Sequence, residues 1–501
     1  MFMIRINAIK RGEHLPHTNS AHLLGVDLAA LTGVTQDSRL VGAGFLFAAL
    51  SDGSNNDGRK YIKEAIDSGA KIILSDKNVT AEMAKGAKLV ISDNPRRDFS
   101  HIVAEYYAKQ PSEIVAVTGT NGKSSVVHFA DQLWSALEEN ATYIGTLNNA
   151  LTTPDPVSLF GILAQMADDG ITHIAIEASS HGLSQYRLDG ADISVAAFTN
   201  FTQDHLDYHI DMEDYLSAKL RLFEELLPIN GVAVLNADVP EFHDLAGICK
   251  IRGVRVLSYG NLGEDIILQE CTANGVKQDV TLQVEGRIFD LSIPLVGEFQ
   301  IMNLLCALGC VMASSINDER RINKLIDAMP KILPVLGRLQ HISDEVGSYH
   351  GYIDYAHTPD ALETVLKALR NHTKGRLICL FGCGGDRDKS KRPLMGQIAA
   401  LLSDVIIITD DNPRGENPAL IRQEIVGGIT CESKEIIVVD DRKKAIRMGV
   451  QLMNKEDILL VAGKGHEQGQ IIGGEVIPFD DAQELVNAFL TNSADYSSCG
   501  G

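Results

Sequence analysis

Apolar and polar positions along this chain set up two regular patterns. From about residue 112 onward, short runs rich in β-branched residues alternate with segments of helix length, the signature of βαβ units and parallel sheet. Residues 113–118, Glu-Ile-Val-Ala-Val-Thr, are apolar almost without break, which predicts a buried strand, and 125–137 has helical character. Residues 172–177, Thr-His-Ile-Ala-Ile-Glu, predict another strand, ending in a carboxylate. In the last third, the runs 352–354, 376–381, 404–409 and 458–462 each lead from a strand into a polar loop. The fold class is therefore α/β.

Two interruptions divide the pattern. Ala108-Lys-Gln-Pro111 precedes the first central strand, and Pro330, Pro334 and Gly337 crowd the stretch 329–338. They predict three domains: a smaller α/β module over 1–110, a central domain with a mostly parallel sheet over 111–335, and a Rossmann-like domain over 336–501. A chain of 501 residues needs more than one core, which agrees with that division. No internal repeat interrupts it, and the small, polar tail 491–501 is expected to fray.

Composition narrows the function. With 45% apolar and 22% charged residues and 15 Pro, the chain is expected to fold throughout. Arg5, Lys10, Arg11 and Glu13 break up the first twenty residues, and no apolar run reaches the roughly 18 needed to span a bilayer. A cytoplasmic protein without membrane insertion is expected. Eight cysteines with no CxxC spacing suggest reduced, mostly buried thiols rather than a zinc site. A formal charge of −21 argues against nucleic acid or an anionic membrane as partner, so any anionic ligand must be held by local groups.

One such group of residues is plain. Gly119-Thr-Asn-Gly-Lys-Ser124 stands between predicted strand and helix, the order a phosphate cradle requires. Glycines let backbone N–H groups approach an anion, the helix N-terminus adds positive potential, Lys123 neutralises phosphate charge and the Ser124 hydroxyl can ligate Mg²⁺. The central domain thus reads as a phosphate-binding P-loop domain, although Gly119 lies three residues before Gly122 and Val117 occupies the usual first glycine position. Glu177, at a strand's C-terminal edge, is placed to hold Mg²⁺ directly or through water, or to be a solvated strand end.

The last domain presents four polar loops that a doubly wound sheet would gather at one edge. They are Tyr355-Ala-His-Thr-Pro359, 382–392, Asp410-Asp-Asn-Pro-Arg414 and Gly463-Lys-Gly-His-Glu467. Thr358 can cap the next helix and Pro359 can open it. Arg414 and Glu467 suit the carboxylate and ammonium of an amino acid.

The compressed TGTNGKSS loop resembles that of the Mur ligases and their folylpolyglutamate synthetase relatives, and the resemblance extends over nearly the whole length. It implies that Gly119, Thr120, Asn121, Gly122, Lys123, Ser124 and Ser125 hold ATP, with Asn303, Arg338 and Asp354 as further nucleotide contacts. The segment 177–183 is similar to the family's E-x-S-S-H-G-L. That likeness implies Glu177 as a metal ligand and Ser179, Gln185 and Arg187 as contacts to a UDP-sugar peptide, together with Thr152, Thr153 and, in the first domain, Ser38. Within 199–209, His205 resembles a ligand of a second metal, and Lys219 resembles a lysine that CO₂ carbamylates into a further ligand. Two Mg²⁺ ions, with Ser124 on one of them, are implied, and Lys123, Glu177, His205 and Lys219 become the catalytic set.

The string Asp411-Asn412-Pro413-Arg414 resembles the diaminopimelate-adding members, whereas lysine-adding members generally lack this arginine; Arg387, Gly463 and Glu467 also match amino-acid contacts. The resemblance thus implies an ATP-dependent ligase, a monomer, that joins meso-diaminopimelate to UDP-N-acetylmuramoyl-L-alanyl-D-glutamate through an acyl phosphate. A site built to pair a second carboxylate can reject the analogue lacking it by about 10⁴-fold. The alternatives are an L-lysine-adding ligase of the same family, a folylpolyglutamate synthetase-like ligase, and a non-enzymatic nucleotide switch. In the first domain 51–56 is one residue longer than the family's glycine-rich segment.

Overall fold

The computed structural model describes residues 20–51, 57–149, 151–206, 208–314, 318–430 and 434–498. Residues 52–56, most of the first domain's glycine-rich segment, lie outside the described residues.

Three sheets follow one another along the chain. The first holds β1 (Gly33–Thr35), β2 (Phe45–Ala48), β3 (Ile72–Ser75) and β4 (Lys88–Ile91), side by side in that order and all parallel. The central sheet runs from β5 (Glu113–Thr118) through β6 (Ala141–Ile144), β7 (His173–Glu177), β8 (Ile193–Phe198), β9 (Val232–Asn236), β10 (Arg255–Gly260), β11 (Ile266–Asn274) and β12 (Lys277–Val284) to β13 (Arg287–Ile293). Its spatial order is β13-β12-β11-β10-β9-β8-β5-β7-β6. The last sheet has the order β14-β15-β19-β16-β17-β18. It is built from β14 (Gln340–Ser343), β15 (His350–Asp354), β16 (Leu377–Phe381), β17 (Val405–Ile408), β18 (Glu435–Val438) and β19 (Ile458–Ala462). β14 pairs antiparallel with β15 and the rest are parallel. A separate hairpin, β20 (Gly469–Ile472) and β21 (Glu475–Pro478), follows.

β5 behaves as a strand buried on both faces. Ile114 and Ala116 belong to one hydrophobic cluster, while Val115 and Val117 belong to the cluster on the other side. The helix Lys123–Ala136 lies on that second side and buries Val126, Phe129, Ala130 and Leu133 against the helix Glu298–Met312. It begins at Lys123, two residues earlier than expected, because Gly122 in the left-handed region turns the chain straight into it.

Two expectations give way. Beyond β10 the alternation of strand and helix stops, and β11 to β13 form an antiparallel ribbon. Its strands bury every second residue of β12, and Glu285 and Gly286 (φ +46° and +77°) make the tight turn that joins Val284 to Arg287. The tail is not frayed along most of its length: a helix spans Asp481–Ser498, carried onward by Leu485, Ala488 and Phe489 packing into the C-terminal core. Residues 499–501 lie outside the described residues. Among the described cysteines, Cys249, Cys306, Cys310, Cys379 and Cys383 are buried and unbridged. No helix of the described residues is long and apolar enough to cross a membrane.

Candidate functional site

The phosphate loop is shaped by two glycines that nothing else can replace. Gly119 and Gly122 have φ of +145° and +89°, and a Cβ on either would meet Thr199 Oγ1 at 1.9 Å or Asn303 Oδ1 at 2.3 Å. The loop is also tied from behind. Asn200 accepts from the N–H of Thr120 through its carbonyl at 2.9 Å and from that of Asn121 through its side chain at 2.8 Å, and Thr199 donates to the Asn121 carbonyl at 2.6 Å.

Two ammonium groups converge beneath this loop. Lys123 donates to the carbonyls of Gly119 and Thr120 at 2.9 and 2.7 Å, and Lys219 donates to the same Gly119 carbonyl at 2.7 Å. Lys219 is 1% exposed, so it is not a solvated helix lysine. Burial, and then the neighbouring Lys123 charge, pushes its ammonium well below the usual lysine range, toward the neutral amine. Burial also lowers Lys123.

Glu177 is 1% exposed at the end of β7, where its carboxylate accepts the N–H of Thr146 at 2.8 Å. Around it the proposed acceptor contacts interlock. Thr153 donates to the Glu177 carbonyl at 2.6 Å and sits 2.9 Å from the Ser179 hydroxyl, while Arg187 donates to the Thr153 carbonyl at 2.6 Å and to Gln185 Oε1 at 2.8 Å. Thr152 reaches the same cluster through Thr146, 3.0 Å away. His205, with φ +54°, holds its ring 5.0 Å from that of His181.

A cavity of about 740 Å³ joins these groups. Thr120 to Ser125, Thr152, Thr153, Glu177, Ser179, Arg187, His205, Lys219 and Asn303 line it, and Arg338 and Asp354 reach it from the C-terminal part of the chain. Arg338 donates to Ser124 Oγ at 3.3 Å and lies over the Tyr355 ring. Asp354 accepts the N–H groups of Leu339 and Ala356, and burial, opposed by Arg338, lifts its carboxyl to about 6. Gly119 and Gln185, bonded to the lining residues Lys123 and Arg187, are not themselves in the lining, and neither is Ser38, which opens a short turn in the first domain.

The amino-acid candidates form a second cluster beside the cavity. Arg414, itself at φ +52°, donates to the Gly385 carbonyl at 2.9 Å, and no carboxylate of the described residues pairs with it. Asn412 donates to Glu467 Oε2 at 2.9 Å. A Cβ on Gly463 would sit 2.6 Å from Asp411 Oδ2. Gly385 and Pro413 approach closely enough that a Cβ on the glycine would lie 1.9 Å from the Pro413 carbonyl oxygen, which brings the Arg387 loop against the 411–414 loop. The link to the cavity runs through His357, which lines it and whose carbonyl accepts from Lys391 at 2.9 Å, and through Gly463, whose N–H donates to Asp354 at 3.0 Å.

Two acidic residues escaped the sequence reading. Asp204 lines the cavity; burial works against its ionisation, yet His205, His357 and Lys123 hold its carboxyl below the usual range. Asp360 accepts from Asn121 Nδ2 at 3.2 Å and Thr202 Oγ1 at 3.1 Å. Asp204 stands within 199–209, next to His205, but Asp360 follows Thr358-Pro359 as an ordinary first-turn acid, and nothing in sequence marks it.

A phosphate loop, a cavity lined by both the central and the last domain, and a mixed-charge loop cluster beside it are the arrangement of a nucleotide-dependent enzyme. Family models match almost end to end: "Mur ligase family, catalytic domain" over residues 30–110, "Mur ligase middle domain" over 117–311 and "Mur ligase, glutamate ligase domain" over 337–465. A protein of Caulobacter vibrioides, "UDP-N-acetylmuramoyl-L-alanyl-D-glutamate--2,6-diaminopimelate ligase", is 45% identical over 473 residues, 91% of this chain and 95% of its own. A relative of the same name from Agrobacterium fabrum is 41% identical, covering 95% of this chain and 97% of its own. A solved structure, "Structure of UDP-N-acetylmuramoyl-L-alanyl-D-glutamate--2, 6-diaminopimelate ligase", superposes with a TM-score of 0.68 at 33% identity, covering 92% of this chain and 95% of that one. The chain belongs to the Mur ligase family and is an ATP-dependent, amide-bond-forming ligase.

Proposed function

We propose that this ligase joins meso-diaminopimelate to the D-glutamate γ-carboxylate of UDP-N-acetylmuramoyl-L-alanyl-D-glutamate, in the cytoplasm, during synthesis of the peptidoglycan precursor. The acceptor carboxylate attacks the γ-phosphate of ATP to give an acyl phosphate and ADP. The amine then attacks the acyl carbon, loses a proton and displaces phosphate. The observation that carries the choice of amino acid is Arg414: a guanidinium that no carboxylate of the described residues pairs with, two residues from the Asn412 that donates to Glu467, suits a ligand bringing both an ammonium and an extra acid group.

In this reading the 119–125 loop holds the triphosphate, with Asn303 beside Gly122 and with Arg338 and Asp354 contributing from the last domain. Lys123 stabilises charge on the transferred phosphoryl group, and catalysis is chiefly positioning and electrostatics. Thr152, Thr153, Ser179, Gln185 and Arg187 hold the acceptor peptide and Ser38 its UDP end. Arg387, Asp411, Asn412, Pro413, Arg414, Gly463 and Glu467 receive diaminopimelate.

Mg²⁺ fits this donor set in part. Among the described residues no three His, Cys, Asp or Glu side chains gather around one point, so a cation would complete its shell with phosphate oxygens beside Ser124 and Glu177. A second ion at His205 fits only once Lys219 is a carbamate, since an ammonium repels it; the drive toward the neutral amine supports that change, because the neutral amine is the form that adds CO₂. Bound there, Mg²⁺ supplies charge neutralisation between nucleotide and acceptor carboxylate.

The test is phosphate release measured with ATP, the UDP-muramoyl dipeptide and either meso-diaminopimelate or L-lysine. Release that depends on the acceptor and strongly prefers diaminopimelate is expected; equal use of lysine would overturn the choice of amino acid.

A further inference from the structure

Lys464 is fully buried in the loop after β19, and no role assigned above uses it. Its ammonium donates to Asn412 Oδ1 and to Glu467 Oε2, each at 3.0 Å. Asn412 Nδ2 donates to that same Glu467 oxygen at 2.9 Å, and the N–H of Ile471 donates to Asn412 Oδ1 at 3.0 Å. The Asn412 carbonyl oxygen is therefore engaged twice inside the protein while one amide hydrogen is left for a ligand, and a flipped amide would set its NH₂ against an ammonium and a backbone N–H. Glu467, with a side chain 32% exposed, has Oε2 occupied twice and keeps Oε1 for a ligand.

The surrounding backbone is tied into the same cluster. Gln470 donates to the Asp411 carbonyl at 2.6 Å, the N–H of Arg414 donates to Ile471 at 3.0 Å, and Gly473 returns a bond to the Arg414 carbonyl at 2.9 Å. Through Asn412 and Ile471, one buried ammonium thus braces both the Glu467 carboxylate and the hairpin that holds the Arg414 backbone.

We infer that Lys464 is a positioning residue for amino-acid selection, which fixes Glu467 and Asn412 in place and tempers the Glu467 charge so that Arg414 decides which amino acid is accepted. This rests on the reading of the 411–414 and 463–467 loops as the diaminopimelate site. A Glu467 already paired with Lys464 attracts a bare ammonium less strongly. A ligand with only an ammonium end, such as L-lysine, gains little there, and one that also brings a carboxylate to Arg414 is preferred. Removing Lys464 leaves Glu467 loose and uncompensated, which weakens diaminopimelate and favours lysine.

The experiment is steady-state phosphate release by the full-length wild type, Lys464→Met, Glu467→Gln and the double variant, with each amino acid. Lys464→Met is expected to raise KM for meso-diaminopimelate about 10-fold or more and to lower the diaminopimelate-to-lysine ratio of kcat/KM by a similar factor, with KM for ATP and acceptor within about 2-fold. The double variant should be no worse than the worse single, because both changes break one contact. An unchanged diaminopimelate KM, additive losses, or a parallel rise of all three KM values would overturn the proposal. So would the failure of both Lys464→Met and Lys464→Gln to fold, which would make the lysine a folding element. A wild type that releases no phosphate with diaminopimelate would instead sink the reading on which this rests.

Discussion

At the scale of single residues the nucleotide site is a matter of steric permission and charge. Gly122→Ala would drive a methyl group into Asn303 Oδ1 and strain a φ of +89°, so ATP binding should fall at least 10-fold by calorimetry while the far-UV spectrum stays native. Lys123→Ala should cut turnover at least 100-fold without unfolding the protein; a folded variant with normal turnover would discard its assignment. These residues were legible because a glycine turn that carries a lysine between strand and helix has few other uses. The burial of Lys219 was not, since a lysine on an amphipathic helix looks alike whether its end is in water or under a phosphate loop. Lys464 and Asp360 escaped for a similar reason: Asn412 lies 52 residues from the first and Asn121 239 residues from the second, and only the folded chain brings these pairs together.

At the scale of elements, local chemistry was a sound guide where caps and turns were explicit. Thr358 caps its helix by accepting the N–H of Ala361, with Pro359 in the first turn, as the sequence suggested. The antiparallel ribbon β11–β13 was missed because its polar outer face dilutes the apolar signal that marks the parallel strands. The β14–β15 pair carries a titration of its own. His341 Nε2 lies 2.9 Å from His350 Nδ1, with the Tyr352 ring 5.1 Å away, and burial followed by the His350 charge lowers His341 to about 4. A histidine with a depressed folded pKa binds its proton more readily once unfolded. Above the unfolded value near 6.5 it costs nothing, and as pH falls from there to about 4 stability is lost, on the order of 2 kcal/mol given its partial exposure. Urea midpoints measured between pH 7 and 4 should fall less for His341→Gln than for the wild type.

At the scale of the whole molecule, the site is completed by contacts that cross from the central sheet to the last one. Arg338 reaches Ser124, Asp360 reaches Asn121 and Thr202, and Gln132 exchanges two hydrogen bonds with the backbone of Leu333 at the junction. Because Asp360 grips the nucleotide loop from the far side, Asp360→Ala should raise KM for ATP several-fold, and KM for diaminopimelate less, in initial-rate kinetics. The α/β class and the parallel order of strands could be read from apolar periodicity, but which loops would meet across the cavity depended on sheet order, and that emerges only from packing. The most direct measurement of the whole account is the amino-acid dependence of phosphate release in Arg414→Ala beside the wild type. The wild type should strongly prefer meso-diaminopimelate, and the variant should lose most of that preference through a higher diaminopimelate KM. A variant that discriminates as sharply as the wild type would contradict the claim that this arginine reads the second carboxylate.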